Sequence, residues 1–172
     1  MENWSVDGLT GIAGAPKTRA HGMVIVGVDG SPLSVEALAQ GAEMAQCLGV
    51  PLEAITAWSS VSGPYLTTPP QLYGAREAKA KSTVELAATA VFGAVLPPWF
   101  HAYSAHGPVA GVLAQQSRFA KMLIIGRNKG TPVVGNALGS VALECVENAH
   151  CPVLLVRNHR SPHLTKFVYS SL

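Results

Sequence analysis

The chain has 172 residues, enough for one sizeable hydrophobic core and short for two domains. Only 13% of its residues are charged, the net charge is +2, and no basic run exceeds two residues, which argues against a nucleic-acid face or a polybasic membrane anchor. No apolar run approaches the ~18 residues of a spanning helix, so the expectation is a soluble protein taking a small neutral or anionic ligand.

The first 22 residues carry Glu2 and Asp7, lack a continuous apolar segment, and read as a Gly-rich mobile lead-in rather than a secretory signal. Met23 to Val28 is a β-branched run stopped by Asp29-Gly30, after which Ser31-Pro32 supplies a helix N-cap and a proline at the first helical position. In that helix Val35, Leu38, Ala42 and Ala45 recur at spacings of three and four, and Gly49 with Pro51 provides the stop. Leu52 to Trp58 reads as a second strand. The Pro/Ser/Thr/Gly-rich stretch Ser59 to Pro70 reads as an exposed loop able to act as a lid. A second helix is expected from Gln71 to Gly93, with Val84, Ala87, Ala88 and Val91 on one face, closed by Pro97-Pro98 before a third strand from Trp99 to Ala105.

Gly107-Pro108 opens a third helix through Val109, Val112 and Leu113, and Met122 to Ile125 forms a short buried strand that ends in the loop beginning Gly126-Arg127. Gly139 starts a fourth helix reaching about Asn148, and Cys151 to Val156 makes a fifth strand, with a proline where a missing donor is tolerated. A polar, basic tail follows from Arg157. The alternation of strands and helices gives an α/β class, a doubly wound parallel five-stranded sheet with helices on both faces. With strands in the order 3-2-1-4-5, the winding reverses between strands 1 and 4, and ligands bind at the carboxyl ends beside that reversal. Asp29 and Gly126 occupy those two ends.

These residues resemble the universal stress protein family: Val26-Gly27-Val28-Asp29-Gly30-Ser31, then Gly126 with Gly139-Ser140, then Cys151-Pro152-Val153-Leu154-Leu155-Val156. The resemblance spans residues 23 to 157, leaving 1–22 and 158–172 as flanking segments. It implies an adenine nucleotide alpha hydrolase-like fold. ATP-binding members resemble G-x-x-G-x(9)-G-[ST]; here Gly126, Gly139 and Ser140 match, Lys129 stands at the middle glycine, and Gly130 comes one place later. The resemblance implies that Gly27, Asp29 and the backbone near Ala57 hold the adenosine end, that Gly126 contacts ribose, and that Gly139, Ser140 and Val141 receive phosphates. Arg127, Lys129 and Gly130 complete the candidate set. Lys129 can obstruct the phosphates, add an ammonium to them, or leave the turn to Gly130. For Asp29 the alternative role is a turn or capping residue in Asp-Gly-Ser.

The implied function is a stress-response regulator binding ATP, with or without Mg2+, or another adenine nucleotide. The alternatives are a dimeric family member without nucleotide and a slow ATPase; no G-x-x-x-x-G-K-[ST] loop is present and no general base is evident. The fifth strand, Val153, Leu154, Leu155 and Val156, would be an open edge, and the resemblance implies homodimer pairing through it; the tail with Phe167-Val168-Tyr169 either adds a further contact or stays disordered. Cys47, Cys145 and Cys151, like His101, His106 and His150, lack metal-ligand spacing; the cysteines fit a reducing cytoplasm, and Cys145 falls on the inward side of the last helix.

Overall fold

Five apolar segments form one parallel sheet in the computed structural model, which describes residues 22–59, 70–127 and 139–157. In chain order they are β1 (Met23–Gly27), β2 (Leu52–Trp58), β3 (Phe100–His106), β4 (Ala120–Gly126) and β5 (Val153–Val156). The helices are α1 (Pro32–Leu48), α2 (Pro70–Phe92), α3 (Val109–Gln116) and α4 (Ser140–Asn148). The spatial order is β3-β2-β1-β4-β5 with every neighbouring pair parallel, the doubly wound arrangement expected from the sequence. The lead-in before Gly22, most of the Ser59–Pro70 loop and the tail beyond Arg157 lie outside the described residues.

Local chemistry sets the element ends. Ser31 caps α1, its hydroxyl accepting from the Ser34 N–H at 3.2 Å, and Pro32 follows in the first turn. Gly49 ends the helix in the left-handed region at φ 63°, while the Val50 N–H reaches back to the Ala45 carbonyl at 3.0 Å. Other boundaries differ from the sequence expectation. Strand β3 lies one residue later than Trp99–Ala105, because it pairs with the whole of β2, from Leu52 opposite Phe100 to Trp58 opposite His106. Strand β4 begins at Ala120 rather than Met122, entered from a 3₁₀ turn over Ser117–Phe119 that the pattern does not reveal. Helix α2 starts at Pro70 and stops at Phe92, and β5 excludes Cys151 and Pro152.

Alternation along the strands divides the core in two. Val24, Val26, Ala54 and Ile124 face α1 and α2, with Leu38, Ala42, Val84 and Ala88 packed on them. Ile25, Ile55, Leu123 and Ile125 face the other side, under Leu113 of α3 and Cys145 of α4. On this second face the Tyr103 hydroxyl donates to Glu53 Oε2 at 3.1 Å, both residues being buried. Among the described residues no helix is long and apolar enough to cross a membrane.

Helix α1 sits close on the sheet because Gly41 faces β1: a Cβ there would lie 2.5 Å from Val26 Cγ2 and 3.3 Å from Leu52 Cδ1. Val26 is β-branched and fixed in the middle of the sheet, so it cannot swing aside. Gly41→Ala should therefore lower stability by about 1–2 kcal/mol, overpacking outweighing a helix-propensity gain of roughly 1 kcal/mol. The denaturant midpoint reads this directly, and an unchanged midpoint would mean that α1 can ride outward without loss.

Candidate functional site

The reversal of winding between β1 and β4 leaves a cleft of about 860 Å³ at the carboxyl ends of the strands. Its floor is made by the ends of β1 and β4. At Gly126 a Cβ would stand 3.1 Å from the carbonyl carbon and oxygen of Leu33 and 3.2 Å from the Ser34 nitrogen, so glycine lets the last residue of β4 lie against the first turn of α1. Gly27 has a similar reason on the opposite face, where a Cβ would come within 2.9 Å of Leu113.

Asp29 leaves β1 into a tight turn completed by Gly30 at φ 83°. Its Oδ1 accepts from the Ser31 N–H at 2.9 Å, and its own N–H donates to Ser34 Oγ at 3.3 Å, while that hydroxyl donates to the Ser31 carbonyl at 2.9 Å. Both readings of Asp29 thus have a structural basis, since it organises the turn before α1 and still lines the cleft. Desolvation pushes its carboxyl upward, but hydrogen bonding from Ser31, from Ser34 and from its own N–H outweighs this and holds it below the ordinary value of 3.8. At neutral pH it is an ionised, acceptor-only group.

The opposite wall is the start of α4. Gly139 is its N-cap and offers no side-chain hydrogen bond, so the first-turn N–H groups are not covered from that position. Gly139, Ser140 and Val141 line the cleft together with Gly27, Asp29, Ala57 and Gly126. Seven of the residues singled out in the sequence, from four different elements, are therefore brought to one place. Arg127 is not among the lining residues; its N–H donates to the Val156 carbonyl at 2.7 Å, across to β5. Lys129 and Gly130 lie outside the described residues.

Sequence reading missed the wall supplied by α2. Arg76, Lys79 and Thr83 line the cleft, and Arg76 Nη1 donates to the Ser59 carbonyl at 2.8 Å, tying α2 to the exit of β2. Their spacing of three and four puts them on one helical stripe beside the buried stripe of Ala80, Val84 and Ala87, the one sequence signal that marks them. On β2, Thr56 and Trp58 also line the cleft. Among the described residues Thr56 Oγ1 and Trp58 Nε1 are buried without a hydrogen-bond partner, a state that costs about 1–3 kcal/mol for each polar group. Trp58 packs edge-on against His106, ring centroids 4.6 Å apart, and more loosely against Tyr73.

The cysteines take no part in the cleft. Cys145 is fully buried, and burial, followed by the charge of Glu144, pushes its thiol up to about 11, leaving it protonated and inert at neutral pH. Among the described residues no three His, Cys, Asp or Glu side chains gather in a way that could hold a metal ion.

This fold and crevice accompany a match of residues 22–157 to the family model described as the universal stress protein family. The chain belongs to the universal stress protein family. Among curated universal stress proteins, Rv2624c of Mycobacterium tuberculosis is 33% identical over 135 residues, a span covering 78% of this chain and 48% of that protein. Rv2623 of the same organism is 27% identical over 147 residues, covering 81% and 50%. The chain thus spans about half the length of these relatives. Among solved structures, universal stress protein UspA from Lactobacillus plantarum superposes with a TM-score of 0.64 at 20% identity, over 81% of this chain and 100% of that one. A universal stress protein from Archaeoglobus fulgidus gives 0.59 at 21% identity over 79% and 98%. A universal stress protein in complex with cAMP gives 0.53 at 23% identity over 81% and 99%. These three likenesses concern the fold.

Because Asp29 has a lowered pKa in the folded chain, its contribution to stability is complete above its unfolded value and is lost as pH falls through the lower folded one. Asp29→Asn should cost at most about 1 kcal/mol at neutral pH, given solvent screening. It should also flatten the acid limb of the stability profile below about pH 4. Denaturant unfolding across that limb measures both effects, and an unchanged limb would remove Asp29 from the acid response.

Proposed function

We propose that this universal stress protein binds ATP or a related adenine nucleotide in the cleft between β1 and β4 and acts as a dimeric regulatory switch rather than an enzyme. The observation that carries the reading is the convergence of Asp29, Gly126 and the glycine-capped start of α4 on one cleft of about 860 Å³. The cleft also suits the group chemically, since the Thr56 hydroxyl and Trp58 N–H, unpartnered among the described residues, leave hydrogen-bonding capacity in its lining. In this reading Asp29 accepts from a ribose hydroxyl, the Ala57 backbone reads the adenine edge, and glycines Gly27 and Gly126 let the nucleoside approach. The first-turn N–H groups of Ser140 and Val141 meet the phosphates, with Mg2+ accompanying a triphosphate. The cAMP complex of a protein of the same fold supports the adenosine class. A cytoplasmic location and a switch working by differential affinity for two states belong to the same proposal.

Lys129, standing at the middle glycine of the motif, favours a second reading in which the dimer works without nucleotide. Mass spectrometry of small molecules released by denaturing the freshly purified protein separates the two, with adenine nucleotide expected and an empty protein supporting the second. In the first reading the Lys129 ammonium adds to phosphate binding, so Lys129→Gly should weaken ATP by about fivefold to tenfold while leaving adenosine unchanged. Tighter ATP binding by that variant in calorimetry would identify Lys129 as an obstruction.

The proposed dimer uses β5. The carbonyls of Pro152 and Val156 accept from β4, at Leu123 and Arg127, so by alternation the N–H and C=O groups of Val153 and Leu155 point to the open edge. Leu155→Pro removes an outward donor and spares the ladder to β4. It is expected to weaken dimerisation by at least about tenfold. Light scattering over a dilution series, with circular dichroism to verify folding, reads the change; a wild-type chain monomeric at micromolar concentration would refute the dimer.

A further inference from the structure

The cleft is electrically lopsided in a way that a plain 5′-nucleotide does not use. Asp29 is the one acidic side chain among the lining residues, whereas α2 brings two cations, Arg76 and Lys79, to the wall opposite α4. The acid on this stretch of α2, Glu77, is turned to Lys81 in an i,i+4 pair at 3.0 Å and does not neutralise that wall. The Lys79 ammonium has no ion-pair partner among the described residues. Next to this pair, on β2, stand the Thr56 hydroxyl, on a residue 7% exposed, and the donor-only Trp58 Nε1, both without a hydrogen-bond partner among the described residues. All these groups can donate, and an acceptor-rich anion is the ligand chemistry that matches them.

The wall also lies beside the place assigned to ribose. A Cβ on Gly30, immediately after Asp29, would stand 3.0 Å from Thr83 Cγ2, and the Thr83 hydroxyl donates to the Lys79 carbonyl one helical turn earlier at 2.8 Å. Helix α2 therefore borders the Asp29 turn on the side away from α4. Arg76 is partly committed, through Nη1, to the Ser59 carbonyl, which leaves Lys79 as the cation of this wall without a partner among the described residues and the remaining guanidinium donors as its support.

We propose that Lys79, with Arg76, forms a second anion subsite, and that the preferred ligand is an adenosine nucleotide carrying a phosphomonoester on its ribose 2′ or 3′ oxygen as well as its 5′-phosphate. One ribose hydroxyl then remains to donate to Asp29, the 5′-phosphate faces α4, and the second phosphate faces α2. The inference rests on the adenine-nucleotide reading above, and it names the feature of the ligand that the α2 wall selects.

Calorimetric titration of the full chain at low salt with AMP, adenosine 3′,5′-bisphosphate and adenosine 2′,5′-bisphosphate tests it. One bisphosphate should bind about tenfold tighter than AMP, and which isomer does so identifies the esterified oxygen. In Lys79→Met, an exposed position whose change leaves the core intact, that preference should disappear, the bisphosphate losing about tenfold more affinity than AMP. AMP binding without any bisphosphate preference, or a preference that survives in the Arg76→Gln/Lys79→Met double variant, overturns the second subsite and leaves the nucleotide reading standing. Failure of all three nucleotides to bind where ATP does bind overturns the second subsite alone, and failure of ATP as well overturns both.

Discussion

Much of this structure depends on how closely α1 can approach the sheet. Gly126 brings the end of β4 against the backbone of Leu33 and Ser34, and Gly41 brings the middle of the helix onto Val26. A methyl group at either place meets backbone or a stiff β-branched side chain, so α1 would have to lift. The first turn of α1 carries the cap from Ser31 and the Ser34 hydroxyl that receives the Asp29 N–H. The position of the Asp29 carboxylate is thus inherited from glycine contacts made elsewhere. At Gly126, packing alone explains the glycine, so its presence in a strand-end motif needs no ligand, and the case for a site rests on the convergence of several elements.

The cleft is more specific than its floor. One side presents backbone donors at the start of α4, the other presents side-chain donors and cations from α2 and β2, and a single carboxylate stands between them. A parallel sheet explains why these lie together: each strand delivers its carboxyl end to the same rim, and the reversal between β1 and β4 keeps the two helical layers from closing over it. Among the described residues, buried polar atoms away from the cleft, such as the Glu53 carboxylate and the Tyr103 hydroxyl, satisfy each other, whereas Thr56 Oγ1 and Trp58 Nε1 at the cleft find no partner. That contrast separates structural polarity from polarity left available for a ligand.

The parallel α/β class was legible because it follows from element alternation and right-handed crossovers, with Asp29-Gly30-Ser31-Pro32 and Gly49 marking the helix ends, whereas several strand orders satisfy that alternation and the order 3-2-1-4-5, with its β1–β4 rim, is decided by the pairing. Strand β4 was read two residues short at its start and one at its end, the start because Lys121 breaks the apolar run and the 3₁₀ turn at Ser117–Phe119 feeds straight into the strand. Strand β3 was shifted because Trp99 looks as strand-like as Phe100, and only pairing with β2 decides between them. The α2 wall stayed hidden for a different reason. Arg76 and Lys79 on a helix read as an ordinary solvated face, and their direction becomes apparent only when the apolar stripe of α2 is docked on β2 and β3. Lys129 was conspicuous in the motif, yet its effect depends on backbone geometry that sequence spacing does not specify.

Helix α4 gives the proposed switch a physical route. It begins at the cleft with Gly139 and runs nine residues to Asn148, and the chain then turns at Ala149 directly into the approach to β5. At the other end of β5 the Arg127 N–H bonds to the Val156 carbonyl, so the residue after Gly126 is fastened to the same edge strand. A ligand that engages the start of α4 and the end of β4 therefore touches both attachments of β5. Coupling between nucleotide and dimer follows only if those attachments differ between paired and unpaired β5, since a ligand with equal affinity for both states shifts neither. The short, four-residue β5 is suited to such a difference: among the described residues it has one strand neighbour, and Val153, Leu154 and Leu155 are only partly buried. Pairing would add the second ladder and complete their burial, making the edge more ordered in the dimer than in the monomer, which is the differential that a ligand held by α4 and β4 can sense.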